Sequence, residues 1–269
     1  MILLFCLLLL AGVYSFAFYY TGFSLWFYFL WVPLSLVLSF ISFCLFVIGL
    51  FQYMKKTNPK GKFRHALLFQ VCQMILFILN IKIKVIGKEF IPNETFVCYA
   101  NHKSHIDPIA LYAALHRICS AIGKKDLFKY PVIKQCQPVF GVIALDREND
   151  RAAAKSIIEA IRAIKDGMSY IIFPEGGIKT RQTEEMVDLR AGAYKLVTKS
   201  GARLLPATII GSSRIKTRKS ILKRIQITIV FHESLEASAY EEKSTSDLGQ
   251  MVMKYVHEDI LNYENQSIN

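Results

Sequence analysis

The 269 residues include 33 Lys and Arg against 21 Asp and Glu, a formal net charge of +12, and 53% of them are apolar. That length holds one catalytic-sized domain plus extras and far more core than a disulfide-stapled miniature. The charge is unevenly placed, because nothing from Met1 to Met54 is charged; a lipid-like N-terminal fifth joined to a basic remainder excludes a wholly soluble protein, a collagen and a disordered chain.

Crossing about 30 Å of hydrocarbon takes roughly 20 apolar residues, so the uncharged stretch is long enough for about two helices. The expectation is a two-helix membrane anchor, Ile2–Tyr20 and Leu25–Phe51, turning at Thr21-Gly22-Phe23-Ser24. Pro33 then falls near the start of the second helix, where proline costs least. Half of the Phe, Tyr and Trp residues lie in this fifth, Trp26 and Trp31 close to the expected turn, as interfacial aromatics do. A cleaved signal peptide fits less well, since the positive n-region is missing and the second segment would remain. Lys55, Lys56, Lys60, Lys62 and Arg64 follow, and basic residues beside a span mark the cytoplasmic side. The expectation is therefore a multi-pass membrane protein whose catalytic part faces the cytosol and anionic lipid head groups. Nucleic acid, the rival partner for positive charge, is disfavoured by the anchor and by the lack of any nucleic-acid module. Phe63–Leu79 is apolar on nearly every side and short for a span, which suits a helix buried against the domain or lying in the interface. The expected organisation is a hairpin over 1–54, a basic linker and helix over 55–80, and a globular domain over 81–269.

From Ile81 onward, Ile81–Ile86, Thr95–Tyr99, Val142–Leu145, Ser169–Phe173, Arg203–Ile209 and Ile225–Phe231 alternate and are rich in β-branched residues, and they read as strands. Between them Pro108–Leu115, Lys124–Gln135, Arg151–Lys165, Asp188–Lys199 and Asp247–Leu261 place apolar residues at three- and four-residue intervals and read as helices. Strands alternating with helices predict a layered α/β domain with a mostly parallel sheet and crossover helices. The six cysteines include no pair at the two-residue spacing of zinc and redox motifs and read as reduced.

Working residues of an α/β sheet gather on the loops beyond strand C-termini. After the second strand stands Asn101-His102-Lys103-Ser104-His105-Ile106-Asp107-Pro108. On a straight helix His102 and Asp107 would point about 140° apart, so pairing them requires a loop that folds back. Pro108 suits the first helical position and Asp107 the cap before it, leaving the Asp107 carboxylate able to orient His102 as a general base. A plain N-cap, or a metal held by His102, His105 and Asp107, are competing readings of the same residues, although no further ligand is evident. After Ser169–Phe173 comes Pro174-Glu175-Gly176-Gly177-Ile178-Lys179-Thr180-Arg181, where adjacent glycines admit close approach of an anion and Lys179 and Arg181 bring charge. Taken alone it also reads as an ordinary turn. Arg147, in Asp146-Arg147-Glu148-Asn149, is a further candidate for an anionic substrate, with a surface salt bridge as its alternative. No P-loop or dinucleotide fingerprint is present.

Together these segments resemble the 1-acylglycerol-3-phosphate acyltransferases of the glycerolipid acyltransferase superfamily. The family's His-x4-Asp motif stands as His102 and Asp107, its glycine-to-Asp-Arg motif as Gly141 through Asp146-Arg147, its Phe-Pro-Glu-Gly as Phe173-Pro174-Glu175-Gly176, and its apolar proline motif as Leu205-Pro206. Lys124-Lys125-Asp126-Leu127 with Pro131, and Arg190-Ala191-Gly192-Ala193, match connecting segments; the resemblance covers roughly Lys82–Gly211. It implies transfer of an acyl chain from acyl-CoA or acyl-carrier protein to the sn-2 hydroxyl of lysophosphatidic acid, with His102 and Asp107 catalytic and no cofactor or metal. It further implies Arg147, Lys179 and Arg181 on the acceptor phosphate, Glu175 and Gly176 shaping the acceptor site, and a bilayer, a lysophospholipid and an acyl thioester as partners. The chain departs from the family where Thr-Arg-Ser usually follows Glu-Gly: the arginine expected on the phosphate is Ile178 here, which leaves the acceptor head group open. Glycerol 3-phosphate or another lysophospholipid are alternative acceptors. From other classes, a lipid hydrolase is disfavoured by the missing Gly-x-Ser-x-Gly elbow, and a silent lipid binder would show no turnover.

Overall fold

A computed structural model describes residues 11–16, 19–20, 25–146 and 148–268. It divides into two units, 1–57 and 58–269. In the first unit, helix α1 runs over Leu25–Lys56 and ends on two lysines, a favourable charge for a helix C-terminus. The first arm of the expected hairpin falls largely, and its turn at 21–24 entirely, outside the described residues. The two-helix membrane anchor is not obtained: among the described residues no helix is long and apolar enough to cross a membrane. Absence of charge over 1–54 is a property of composition and does not by itself fix a two-helix span.

The second unit starts before the expected boundary at 81 and takes in α2, Lys62–Ile78. This helix is anchored by Leu67, Leu68, Cys72 and Leu76, and by Arg64, whose buried guanidinium donates to the carbonyls of Val139 (2.8 Å) and Pro138 (2.5 Å). These carbonyls belong to the end of a later helix, where a cation satisfies orphan acceptors. The stretch therefore packs on the domain, leaving Phe63, Phe77 and Ile78 exposed.

The remaining elements are β1 (Ile81–Ile86), β2 (Phe96–Ala100), α3 (Asp107–Leu115), β3 (Cys119–Lys124), α4 (Pro131–Phe140), β4 (Ile143–Leu145), α5 (Asp150–Lys165), β5 (Ser169–Ile172), α6 (Lys195–Ser200), β6 (Arg203–Ile210), α7 (Arg214–Thr217), β7 (Ile225–Phe231) and α8 (Thr245–Ile268). The sheet order is β1-β7-β6-β2-β5-β3-β4, parallel at every pairing except β6 with β7. The central strands β2 and β5 are buried at every position, as expected of a parallel sheet covered on both faces. Val97, Tyr99, Tyr170, Ile172 and Leu204 join Ala160 and Ile164 of α5, Leu196 and Val197 of α6, and Leu248, Val252 and Val256 of α8 in one core. Helix α5 begins on Asn149, whose side chain accepts from the Ala152 amide at 3.0 Å, and ends on Arg162 and Lys165.

Two segments differ from the sequence expectation. Lys124–Gln135 is not one helix: Lys124 closes strand β3, a 3-10 turn covers Lys125–Lys129, and α4 starts at Pro131. Cys-Ser-Ala-Ile-Gly-Lys has little alternation to announce a strand, and a Cβ on Gly123 would sit 3.1 Å from the Phe128 ring, which would have to shift. Likewise Asp188–Lys199 is not helical as far as Arg190, whose amide donates to the Pro174 carbonyl at 3.0 Å; a 3-10 helix covers Ala191–Tyr194 and α6 begins only at Lys195. A tertiary hydrogen bond outweighs the helical spacing there.

Candidate active site

The loop after β2 folds back, as the pairing of His102 with Asp107 demands. Asn101, fully buried, clamps its start to β6: its amide donates to the Ile209 and Glu184 carbonyls (both 2.8 Å), and its carbonyl accepts from the Ile209 amide at 2.7 Å. Asp107 is the first residue of α3 and is also fully buried. Its Oδ2 accepts from the amides of Lys103 and Ser104 at 2.7 Å each and lies 3.0 Å from His102 Nδ1. The carboxylate thus gathers the preceding loop instead of capping its own helix. An ionised carboxylate only accepts, so Nδ1 carries the hydrogen and Nε2 is left as the basic nitrogen. The other face of the imidazole is packed on Phe173, ring centroids 4.2 Å apart.

Glu175 is turned inward, not toward a ligand. Its Oε1 accepts from the His102 amide at 2.8 Å, while Oε2 accepts from Lys103 Nζ at 2.9 Å and the Val187 amide at 3.3 Å. Neither Lys103 nor Glu175 has an exposed side-chain surface. A buried ion pair therefore bolts the His102 loop to the Phe-Pro-Glu-Gly turn, with the partners closing each other's charge. Gly176 adopts φ +73° and Gly177 φ +143°, conformations that favour glycine, and a Cβ on Gly176 would meet Arg190 Nε at 2.3 Å. The guanidinium of Arg190 lies directly on this glycine.

Lys179 is paired with Asp188 at 3.1 Å on the surface. Arg181 acts electrostatically on the His102 loop: the pKa of His105 is lowered first by burial and then by the nearby Arg181 charge. Arg147 lies outside the described residues, while its neighbour Asp146 binds Lys125 at 2.8 Å, which holds the Asp146 carboxyl below its ordinary range. The structure thus gathers His102, Asp107 and Glu175 around the loop after β2, with Gly176 next to Glu175, sets the Arg181 charge near His105, and pairs Lys179 with Asp188. Among the described residues no group of three or more His, Cys, Asp and Glu side chains could hold a metal ion.

Four contributors are not singled out by sequence reasoning: Lys103, Phe173, Glu184 and Arg190. Lys103 sits between two motif residues and Arg190 opens a matched connecting segment, so position was the available signal. Glu184 Oε1 accepts from the Gly211 and Ser213 amides (2.9 and 3.3 Å) and Ser213 Oγ (2.6 Å), yet burial raises its pKa. Beside the site, a cleft of about 630 Å³ is walled by apolar residues of α5, including Ile157, Ile158 and Ile161, and by Leu145 and Phe173, with Arg190, Lys195 and Lys199 also lining it. That volume suits a small-molecule or cofactor-sized group.

Residues 82–210 match the family model described as Acyltransferase. This part of the chain is an acyltransferase domain. The match contains the folded-back loop, the Glu175 turn and the residues that line the cleft. A 1-acyl-sn-glycerol-3-phosphate acyltransferase of Borreliella burgdorferi is 28% identical over 186 residues, covering 66% of this chain and 73% of its own. A Mycoplasma pneumoniae protein is 24% identical over 252 residues, covering 86% of this chain and 92% of its own. The fold is that of the crystal structure of the 1-acyl-sn-glycerophosphate acyltransferase from Thermotoga maritima, at a TM-score of 0.67 and 20% identity, over 81% of this chain and 89% of that one.

Proposed function

We propose that this chain is a 1-acyl-sn-glycerol-3-phosphate acyltransferase, acting in phospholipid synthesis with acyl-CoA or acyl-carrier protein as donor. The observation that carries this reading is the His102–Asp107 pair, buried on the carboxylate side and stacked on Phe173, which also walls the apolar cleft. His102 Nε2 takes the proton of the acceptor's free hydroxyl as that oxygen attacks the thioester carbonyl carbon. The tetrahedral intermediate collapses with the ester C–O bond formed and the C–S bond broken, and the imidazolium returns its proton to the departing thiolate. Asp107 holds the tautomer throughout and stabilises the imidazolium. The cleft takes the acyl chain of the donor, its apolar wall removing methylenes from water at about 0.8 kcal/mol each. Arg181 and Arg190, with Arg147 from the sequence, supply charge for the acceptor phosphate, where arginine grips in a two-pronged way. Lys179 contributes after release from Asp188. Acceptor and product are bilayer lipids, which gives the enzyme a membrane surface as its working partner.

Ile178 at the position of the family arginine favours a second reading, in which another lysophospholipid or glycerol 3-phosphate is the acceptor. Purified chain is incubated with radiolabelled acyl-CoA or acyl-carrier protein and lysophosphatidic acid, glycerol 3-phosphate or lysophosphatidylcholine. Labelled phosphatidic acid is expected from the first acceptor, falling on the order of 10²–10⁴-fold in His102→Ala. Label moving to another acceptor replaces the head group in the proposal, and no acylation by folded protein with either donor rejects it.

A further inference from the structure

We infer that the loop 218–224, together with the C-terminal turn of α2, is a docking surface for an anionic phospholipid bilayer. The inference rests on the proposed lipid acceptor for its purpose, but its observations lie outside the catalytic residues. Phe77 and Ile78 at the end of α2 are 80% and 58% exposed, and Leu222 and Ile221 at the loop tip are 84% and 48% exposed. The two segments are stitched together: the Asn80 amide donates to the Leu222 carbonyl at 2.7 Å and Arg218 donates to the Leu79 carbonyl at 2.5 Å. Four large apolar side chains are thereby held out in water by a braced scaffold, which monomeric proteins rarely do without a partner.

The charge around them identifies that partner. Between Gly211 and His232 there are six Lys and Arg and no acid, and the first acidic residue of the whole chain is Glu89. Lys219, Lys223 and Arg224 flank the apolar tip in sequence, and Lys82 and Lys84 are exposed on the edge strand that begins just beyond Asn80. Apolar residues to enter the acyl boundary within a ring of cations fit an anionic lipid surface.

Topology gives the patch its meaning. Strand β7 is antiparallel to β6, with Ile210 opposite Thr228, so Ile225 lies beyond the C-terminal end of β6. Strand β1 is parallel to β7, with Ile81 opposite Ile225, so its start lies at that same edge. The edge is the one from which the His102 loop leaves β2, because Ala100 is opposite Ala207 of β6. A bilayer seated on Phe77 and Leu222 therefore meets the sheet edge that carries the base, and a lipid acceptor needs to rise only part-way from the bilayer.

The test uses the full chain and vesicles of phosphatidylcholine with or without phosphatidylglycerol. Each surface cation adds about fivefold to binding of anionic vesicles, so the Lys219→Gln/Lys223→Gln double variant is expected to bind them on the order of 30-fold more weakly. In the Leu222→Trp variant, the emission added over wild type is expected to be quenched by brominated acyl chains in anionic vesicles. This second readout follows the loop itself, whatever other segments bind. Transfer to a short-chain, monomerically soluble lysophosphatidic acid is expected to be unchanged in both variants. Unquenched emission from position 222, or vesicle binding unchanged by the double variant, overturns the docking surface while leaving the proposed function intact. An altered oligomeric state of the variants without vesicles overturns it in favour of a self-association face. Wild-type chain that docks but acylates no acceptor separates failure of the proposed function from failure of the surface.

Discussion

Glu175→Gln removes one charge from a pair that has no access to water. In the wild type the Lys103 ammonium is 2.9 Å from Glu175 Oε2, and both side chains have zero exposed surface. The neutral amide can still accept from the His102 amide, now at 2.8 Å from Oε1, but leaves Lys103 without a counter-charge. Breaking a buried pair from one side costs roughly 3–5 kcal/mol, mainly the unpaired charge and not the lost attraction. Against a typical folding stability of about 5–15 kcal/mol this is a large fraction. Urea unfolding followed by intrinsic fluorescence measures it, with Lys103→Met as the opposite single variant. Lys103→Met/Glu175→Gln removes both charges, so it is expected to lose less than the sum of the singles, by roughly 2–3 kcal/mol. Acyl transfer is expected to fall in Glu175→Gln, because the loop that carries His102 loosens. A loss under about 1 kcal/mol in Glu175→Gln, or additivity of the singles within about 0.5 kcal/mol, would refute the account of a closed buried pair.

Asp107→Asn keeps the shape of the residue but no longer holds the Nδ1–H tautomer, so kcat is expected to fall on the order of 10²–10⁴-fold with KM little changed; steady-state kinetics with intact KM and kcat would refute it. Gly176→Ala forces an L residue to φ +73°, and its Cβ would lie 2.3 Å from Arg190 Nε. About 1–2 kcal/mol of backbone strain plus displacement of Arg190 is expected; an unchanged thermal midpoint contradicts this. Burial holds the Glu184 pKa above its ordinary value, so the folded state retains a proton that the unfolded chain has lost. Stability contributed by that group is therefore full below about pH 4.3, the unfolded value, and declines as pH rises through the folded pKa. Glu184→Gln keeps the acceptor for the Gly211 amide and lacks that decline, so its stability relative to wild type should rise with pH; a difference independent of pH from 4 to 7, measured by urea titrations at each pH, counts against this.

Local patterns carried much of the architecture. Ile81–Ile86 and Ile225–Phe231 are strands at the residues their alternation predicts, because β-branched runs have few other ways to bury alternate side chains. The pairing of His102 with Asp107 was implied by the resemblance to the family's motif; helix geometry added only that the loop must fold back, and Pro108 marks where the helix starts. Strand β3 was not legible, since Cys119–Lys124 earns its strand from β5 and β4 on either side and not from its own residues. The uncharged N-terminal stretch shows the limit of composition, which predicts a preference for apolar surroundings but not a two-helix span.

What only the tertiary structure decided is the role of each charge. In the sequence Lys103, Glu175, Lys179 and Arg190 are alike as charged residues near motifs. In the fold Glu175 faces inward to Lys103, Lys179 is tied to Asp188, and Arg190 lies on Gly176. These residues are up to 72 positions apart for the buried pair, and their distances are set by the order of strands in the sheet. Residue type and spacing along the chain determined which chemistry was available; depth from water and the neighbour across the sheet edge determined which charges are closed in buried pairs and which stay on the surface.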